Sequence, residues 1–393
     1  MNTDNPHEAT EEPVISSNPT QGKTTTVRTR ILLATLGIIF LGGAGMSVVG
    51  IHPDTTVQRP VEIAAQEALT GDERATGILA DALSHHSGNT HAMAVVFVNT
   101  DGAEAAFLRA TPTTRFEIGS LSKLLTAQLY RRALAEQKIT PTTTLGEIFP
   151  EEESDIKNIK LVELFAHTSG LSAWGANTDD AAHGHTYLDN LGNFIYRDST
   201  TVDLLQRARE DARATKGQFH YSNLGIALLG QALAKAQDME YAQLLRTEIT
   251  GPLNLPATTV LVTEAHNPPV GFNQAQRPLP SSTFGAFAPA GGLGSSARDL
   301  GRFTRYLLDQ YEQGKIPVPS ENSSVEIFEG FNKATLDGTL VLRRSGTTAG
   351  FRSQIILDPV SHHAMIILSD TTADITELAE NCWRNRYQEA HAP

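Results

Sequence analysis

Ser120-Leu121-Ser122-Lys123 and, later in the chain, Tyr221-Ser222-Asn223 are the residues here whose types and spacing could do chemistry. A serine hydroxyl is a poor nucleophile at its free pKa and needs an adjacent base before it attacks a carbonyl. Residues three apart on a helix share a face. A helical segment over Ser120 and Lys123 would therefore put a hydroxyl and an amine on one pocket wall. Leu121, Leu124, Leu125 and Leu129 recur at helical spacing, with Arg131, Arg132 and Glu136 left for the wet side, and they predict that helix. A serine three before a lysine is common by chance. The tyrosine motif and a glycine-rich element near the C-terminus, Gly346-Thr347-Thr348-Ala349-Gly350, set this chain apart.

These residues must be positioned by elements drawn from both ends of the chain. Residues 91–98 read as a strand, Asn99-Thr100-Asp101-Gly102 as a turn and 103–110 as the returning strand. Helical patterns precede them at 61–85 and follow at 155–164. From 171 to about 284 the pattern is helices separated by loops, including a capping-box candidate at Thr200 and Asp203 and a helix over 223–238. Ser296 and Asp299 form a second such candidate, opening a helix through Leu308. Strands return at 339–343, 351–357 and 364–368, and 373–386 reads as a closing helix. Strands early and late with helices between them predict an α/β (α+β) fold: one antiparallel sheet flanked by helices, with an inserted all-helical subdomain and a cleft at the junction.

Bulk composition narrows the function. The chain has 393 residues, 40% hydrophobic and 19% charged, which suits a globular protein. Its formal charge of −13, with no long basic run in the soluble part, argues against nucleic acid as a partner. Cys382 is the single cysteine, so neither an internal disulfide nor a thiolate metal cluster is available. The paired histidines His85-His86 and His362-His363 lack metal-ligand spacing, and His183 and His185 read as loop residues; no metal is implied.

The N-terminal region has its own logic. Residues 1–27 read as a polar cytoplasmic tail. Residues 28–51 read as a transmembrane anchor or signal segment, and 52–60 as a linker to the domain at 61–393. The uncharged run over 31–51 would span about 31 Å as a helix, the thickness of a bilayer core. Lys23, Arg28 and Arg30 on its N-terminal side place that end in the cytoplasm, so the domain would face outward. Cleavage as a signal peptide, with secretion, is the alternative reading.

Five motifs now stand in order: Phe116-Glu117-Ile118-Gly119-Ser120-Leu121-Ser122-Lys123; Leu164-Phe165-Ala166-His167-Thr168-Ser169-Gly170-Leu171; Tyr221-Ser222-Asn223-Leu224-Gly225; Pro289-Ala290-Gly291-Gly292-Leu293; and Gly346-Thr347-Thr348-Ala349-Gly350-Phe351-Arg352-Ser353. Over most of the soluble chain this set resembles the serine beta-lactamase and penicillin-recognising hydrolases, in the class C beta-lactamase-like branch that also holds D-alanyl-D-alanine carboxypeptidases and some esterases. The resemblance implies the beta-lactamase/transpeptidase-like fold. It makes Ser120 the acylated nucleophile, with Lys123 and Tyr221 its partners in proton transfer and Asn223 a contact for the substrate amide and for Lys123. The backbone N–H groups of Ser120 and Thr347 would form the oxyanion hole, Thr347 lying on an edge strand that could pair with the acyl donor. Lysine and tyrosine are weak bases at neutral pH unless burial and mutual charge alter them, and the two would titrate as one unit.

Where the family usually carries lysine or histidine, this chain has Arg344. Arginine can grip a substrate carboxylate bidentately but cannot transfer a proton. His167-Thr168-Ser169-Gly170 reads as structural, and Gly291 and Gly292 as a tight turn at the cleft rim. Together these imply a serine hydrolase working through an acyl-enzyme without metal or organic cofactor. The favoured substrate is a D-Ala-containing cell-wall peptide, with beta-lactams, short esters or D-amino-acid amides as alternatives. A non-catalytic envelope protein that binds wall peptides is the reading from another class.

Overall fold

The computed structural model describes residues 69–175, 196–211, 213–262, 268–273, 275–320 and 327–387. The tail, the membrane or signal segment and the linker expected over 1–60 lie outside the described residues, as do His183 and His185. Among the described residues no helix is long and apolar enough to cross a membrane.

β1 (Leu69–Gly71) leads into α1 (Glu73–Ser84), shorter than the helix expected over 61–85. β2 (Met93–Val98) and β3 (Ala103–Leu108) form the expected hairpin, Val98 opposite Ala103. The Asn99 side chain closes the turn by accepting the Asp101 and Gly102 N–H groups, each at 2.9 Å. β4 (Arg115–Glu117) then precedes a 3-10 turn over Gly119–Leu121 that runs into α2 (Ser122–Ala135). Ser120 thus sits in the tight turn ahead of the α-helix. In that geometry side chains three apart lie nearly above one another, which brings Ser120 over Lys123.

The helical layer continues with α3 (Leu145–Ile148), α4 (Leu161–Phe165), α5 (Thr201–Glu210), α6 (Asn223–Lys235) and α7 (Tyr241–Leu245). α5 opens on the expected capping box: Thr200 accepts the Asp203 N–H at 3.2 Å and Asp203 accepts the Thr200 N–H at 2.7 Å. α6 buries Leu224, Ile226, Leu228, Leu229 and Leu233 on several faces, the signature of a helix at the centre of a layer.

The helical part is wider than 171–284 and not purely helical. It begins with α2, and its last portion carries the two-residue strands β5 (Thr259–Val260), β6 (Gly271–Phe272) and β7 (Pro278–Leu279). β5 joins β4 and β8 (Leu293–Ser296) in a small three-stranded sheet, a tertiary pairing with no local periodicity to announce it. α8 (Ala288–Gly291) precedes β8, and α9 (Ala297–Glu312) follows it. Ser296 caps α9, accepting the Asp299 N–H at 3.3 Å. The expected box does not close, because Asp299 Oδ2 instead accepts the Ala257 and Thr258 N–H groups at 2.7 and 3.0 Å.

The chain returns through β9 (Ile327–Phe328), β10 (Phe331–Leu336), β11 (Thr339–Thr347), β12 (Arg352–Asp358) and β13 (His363–Ser369) to α10 (Thr376–Tyr387). The main sheet has the order β1-β3-β2-β13-β12-β11-β10-β9 among the described residues, so its N- and C-terminal halves meet where β2 pairs antiparallel with β13. All six residues of β2 are buried. Ala94, Val96 and Val98 face one core with α2, α6 and α9, whereas Met93, Val95 and Phe97 face a second core with α1 and α10. Helices thus cover both faces of an antiparallel sheet. β11 is an interior strand, not an edge strand. Its pairing with β10 ends at Arg343, however, so residues 344–347 run past that register and, among the described residues, pair with β12 alone.

Candidate active site

Four elements converge on Ser120. The 3-10 turn carries the hydroxyl, the first turn of α2 carries Lys123, the residues entering α6 carry Tyr221 and Asn223, and the overhanging end of β11 carries Arg344 and Thr347. Ser120 Oγ lies 3.0 Å from Tyr221 Oη and 3.0 Å from Lys123 Nζ. Lys123 is buried, and its ammonium also donates to Asn223 Oδ1 at 2.7 Å and to the carbonyl of Ala290. Those two acceptors and Ser120 Oγ use all three of its N–H bonds. Asn223 sits at the start of α6, where Ser222 Oγ accepts the Gly225 N–H at 2.9 Å as the helix cap.

Arg344 does not line the pocket as a carboxylate clamp. Its side chain is buried behind the wall and committed to the protein. Nη2 donates to Tyr221 Oη at 2.8 Å, Nε to the Ser120 carbonyl at 3.1 Å and Nη1 to Asn332 Oδ1 on β10 at 3.5 Å. Tyr221 is therefore held between two cations, with Lys123 Nζ 5.1 Å and Arg344 Cζ 5.2 Å from its ring centre.

This chain of hydrogen bonds accepts two proton placements. In one, an ammonium donates to Ser120, whose hydroxyl donates to a phenolate. In the other, a phenol donates to Ser120, whose hydroxyl donates to a neutral amine. A guanidinium pressed against Oη selects the first. Burial alone would push the Tyr221 phenol up, but the Lys123 and Arg344 charges outweigh it and bring it down to about 7. Burial lowers Lys123 to about 8, with Arg344 adding to the effect and Tyr221 opposing it.

The backbone nitrogen of Thr347 lies against the turn that carries Ser120. A Cβ on Gly119, whose φ is +49°, would stand 2.6 Å from it. Only glycine allows this approach. Gly292 has a different reason from the tight turn expected of it: its φ is −97°, and a Cβ there would meet Phe284 Cβ at 2.8 Å and Ala288 Cα at 2.9 Å. Close packing, not a special backbone shape, requires this glycine.

The pocket over Ser120 is lined by Tyr221, Asn223, Ala290, Gly291, Thr347 and Thr348 of the sequence motifs, and also by Trp174, Phe284 and Ser345, which lie outside them. Trp174 stacks on Tyr196 with ring centres 4.9 Å apart. Phe284 is brought there through buried Glu117 on β4, whose Oε1 accepts the Ser282 N–H at 2.6 Å. Burial raises the Glu117 pKa, with the hydrogen bonds from Thr348, Ser282 and Ser281 opposing it. No spacing rule marks an aromatic wall residue. Among the described residues, no group of three or more His, Cys, Asp or Glu side chains is placed to hold a metal.

Comparison with known proteins agrees with this arrangement. A beta-lactamase of Providencia stuartii is 30% identical over 210 residues, covering 51% of this chain and 49% of that protein, so the chain matches about half the length of that relative. The crystal structure of a class C beta-lactamase from Rhodobacter sphaeroides superposes with a TM-score of 0.61 at 17% identity, over 82% of this chain and 100% of that one. A beta-lactamase/D-alanine carboxypeptidase from Pseudomonas syringae gives a TM-score of 0.60 at 16% identity, over 80% and 99%. At such identities these two structures establish the fold. The family profile described as Beta-lactamase matches residues 79–387, which takes in the Ser120 turn, the tyrosine motif and β11 together, and by that match the chain belongs to the beta-lactamase family of serine hydrolases.

Proposed function

We propose that this protein hydrolyses D-Ala-containing cell-wall peptides as a D,D-carboxypeptidase-like enzyme, through an acyl-enzyme on Ser120. The observation that carries the reading is the placement of Ser120 Oγ 3.0 Å from both Tyr221 Oη and Lys123 Nζ at the floor of an open pocket. In this reading the Tyr221 phenolate takes the Ser120 proton as Oγ attacks the substrate carbonyl. The backbone N–H groups of Ser120 and Thr347 receive the developing oxyanion. Tyr221, now a phenol, returns the proton to the departing amine, leaving the acyl group on Ser120. A water then attacks the ester with Tyr221 again the base, and Ser120 is regenerated.

Two features favour a peptide. Among the described residues, 344–347 have no strand partner on the β10 side, so an extended acyl chain can lie along them. Ser345 and Thr347 line the same wall, and their hydroxyls can donate to a terminal carboxylate. The hydrophobic run over 31–51, with basic residues before it, would hold this domain on the outer side of the membrane, where such peptides occur.

One observation favours a second reading, an esterase acting on uncharged acyl groups. Arg344 is spent on Tyr221 and Ser120, and among the described residues those lining the pocket include no cation, while Trp174 and Phe284 give the pocket an aromatic wall. The test is intact-mass analysis of the full chain with a fluorescent penicillin, beside a Ser120→Ala control, together with D-alanine release from a D-Ala-D-Ala peptide and turnover of p-nitrophenyl butyrate. A Ser120-dependent adduct with D-alanine release supports the peptidase. Rapid drug loss without an adduct identifies a beta-lactamase. Ester turnover with neither identifies the esterase. Inertness in all three assays overturns the enzyme reading and leaves a binding protein.

A further inference from the structure

We infer that His167 is a positioning residue for Tyr221, holding the phenol over Ser120 from behind by a ring stack and by hydrogen bonds to the peptide groups on either side of it. The inference rests on the reading of Ser120 and Tyr221 given above and deepens it. His167 follows α4 at the first position past the helix cap, with φ at +57°. The helix ends in a Schellman arrangement: the His167 N–H reaches the Leu164 carbonyl at 3.2 Å and the Thr168 N–H the Glu163 carbonyl at 2.8 Å. Glycine or asparagine is the usual occupant of such a left-handed site. A bulky imidazole is held here against that backbone preference, and it is 2% exposed.

The His167 ring and carbonyl are both directed at the Tyr221 segment. Its ring stacks on the Tyr221 ring with centres 4.9 Å apart and planes 29° from parallel. Nδ1 accepts the Ser222 N–H at 3.0 Å, and its carbonyl accepts the His220 N–H at 2.8 Å. The two residues flanking Tyr221 are thus tied to one side chain and its own backbone. The following residues extend the clamp. The Thr168 carbonyl accepts the Gly217 N–H at 2.8 Å, and a Cβ on Gly170 would collide with the Lys216 nitrogen at 2.7 Å. The Ser172 carbonyl accepts the Ser222 hydroxyl at 2.7 Å.

The bond from Ser222 requires Nδ1 to be unprotonated, so the ring proton sits on Nε2. Burial, then the charges of Lys123, Arg344 and His220, lower His167 to about 3 and keep the ring neutral. A neutral ring adds no third cation behind Tyr221 and takes no proton from Ser120. It fixes where the phenol stands between Lys123 and Arg344. That geometry governs proton transfer without touching the substrate.

The test uses the full chain with His167→Ala and His167→Asn, beside Tyr221→Phe. Asparagine tolerates the left-handed backbone and offers Oδ1 in place of Nδ1, but cannot stack. Thermal melting checks the fold of each variant. The first readout is kcat and KM for p-nitrophenyl butyrate. The second, independent of turnover, is the ultraviolet titration of tyrosinate, with Tyr221→Phe marking the Tyr221 signal. We expect kcat to fall about 100-fold in His167→Ala, with KM changed about twofold at most, and His167→Asn to recover roughly a tenth of the wild-type rate. The Tyr221 midpoint should rise in His167→Ala toward the ordinary phenol range. Folded variants with wild-type kcat and an unmoved Tyr221 midpoint overturn the inference, as does a loss of melting temperature with no change in either readout. A moved midpoint in a protein inert toward the ester, the penicillin and the D-Ala-D-Ala peptide alike supports the positioning role while removing the hydrolase reading.

Discussion

Replacing Arg344 by glutamine removes the charged donor that stands 2.8 Å from Tyr221 Oη. A hydrogen bond from a charged group contributes about 1.5–3 kcal/mol, and one pH unit corresponds to about 1.36 kcal/mol. Loss of that donor should therefore raise the acidic limb of the pH–rate profile by roughly 1–2 pH units. The sign follows from the proton inventory. Tyr221 must be ionised to take the Ser120 proton, so activity grows as pH rises through its pKa, which lies at about 7 in the wild type. Near that pH the variant should lose on the order of 5- to 50-fold in kcat/KM, and the deficit should shrink as the solution becomes alkaline. Arg344→Lys keeps a charge but cannot reach Tyr221, the Ser120 carbonyl and Asn332 together, so its limb should fall between the two. The assay is kcat/KM for p-nitrophenyl butyrate across the neutral and alkaline range, with Ser120→Ala as the blank and thermal melts to verify folding. A glutamine variant whose acidic limb coincides with that of the wild type would refute the argument, however much slower it is. The rate would then depend on Arg344 through geometry and not through the phenolate.

Other outcomes follow from the same structure. The wild-type profile should be a narrow bell: activity rises through Tyr221 at about 7 and falls as the Lys123 ammonium is lost at about 8, the two limbs belonging to the pair. Asp299→Ala strands the N–H groups of Ala257 and Thr258, and urea unfolding should show a loss of about 3 kcal/mol. Trp174→Ala removes part of the pocket wall away from the proton chain, so steady-state kinetics should show KM rising on the order of tenfold with kcat nearly kept. Cys382 is buried, and burial with Asp81 nearby pushes its thiol up to about 12; iodoacetamide at mildly alkaline pH should leave the native chain unlabelled and label it in denaturant, as read by intact mass.

Much of the architecture was legible because the signals were local. The apolar spacing of Leu121, Leu124, Leu125 and Leu129 announced α2, the Asn99–Gly102 turn announced the first hairpin, and Thr200 with Asp203 announced α5. Asp337-Gly338 is an equally local signal. Both residues have positive φ and join β10 to β11 as a two-residue turn, so β10 could have been read from it. β4, β5 and β8 had no such mark, since their few residues become strands only by pairing across the fold.

The site divides the same way. Ser120, Lys123, Tyr221 and Asn223 were nameable from motif spacing, and the structure gathers them within hydrogen-bonding reach. The direction in which Arg344 points was not, because a side chain on a strand can serve the pocket or the wall behind it, and only the register with β10 and β12 decides. His167 looks like scaffold in the sequence for a similar reason: nothing in a His-Thr-Ser-Gly run reveals that its carbonyl and ring nitrogen meet the neighbours of Tyr221.

The three acceptors around Lys123 come from separate stretches of chain, at residues 120, 223 and 290, and the guanidinium that completes the set arrives only at residue 344. A ribosome emitting this polypeptide therefore releases the serine long before the groups that make it reactive. Until β11 docks, Ser120 is chemically an ordinary hydroxyl, and a chain truncated short of residue 344 stays that way. On the proposed reading, reactivity is then a property of the finished molecule, so a nascent or unfolded copy is spared acylation by whatever esters and amides surround it where it is made.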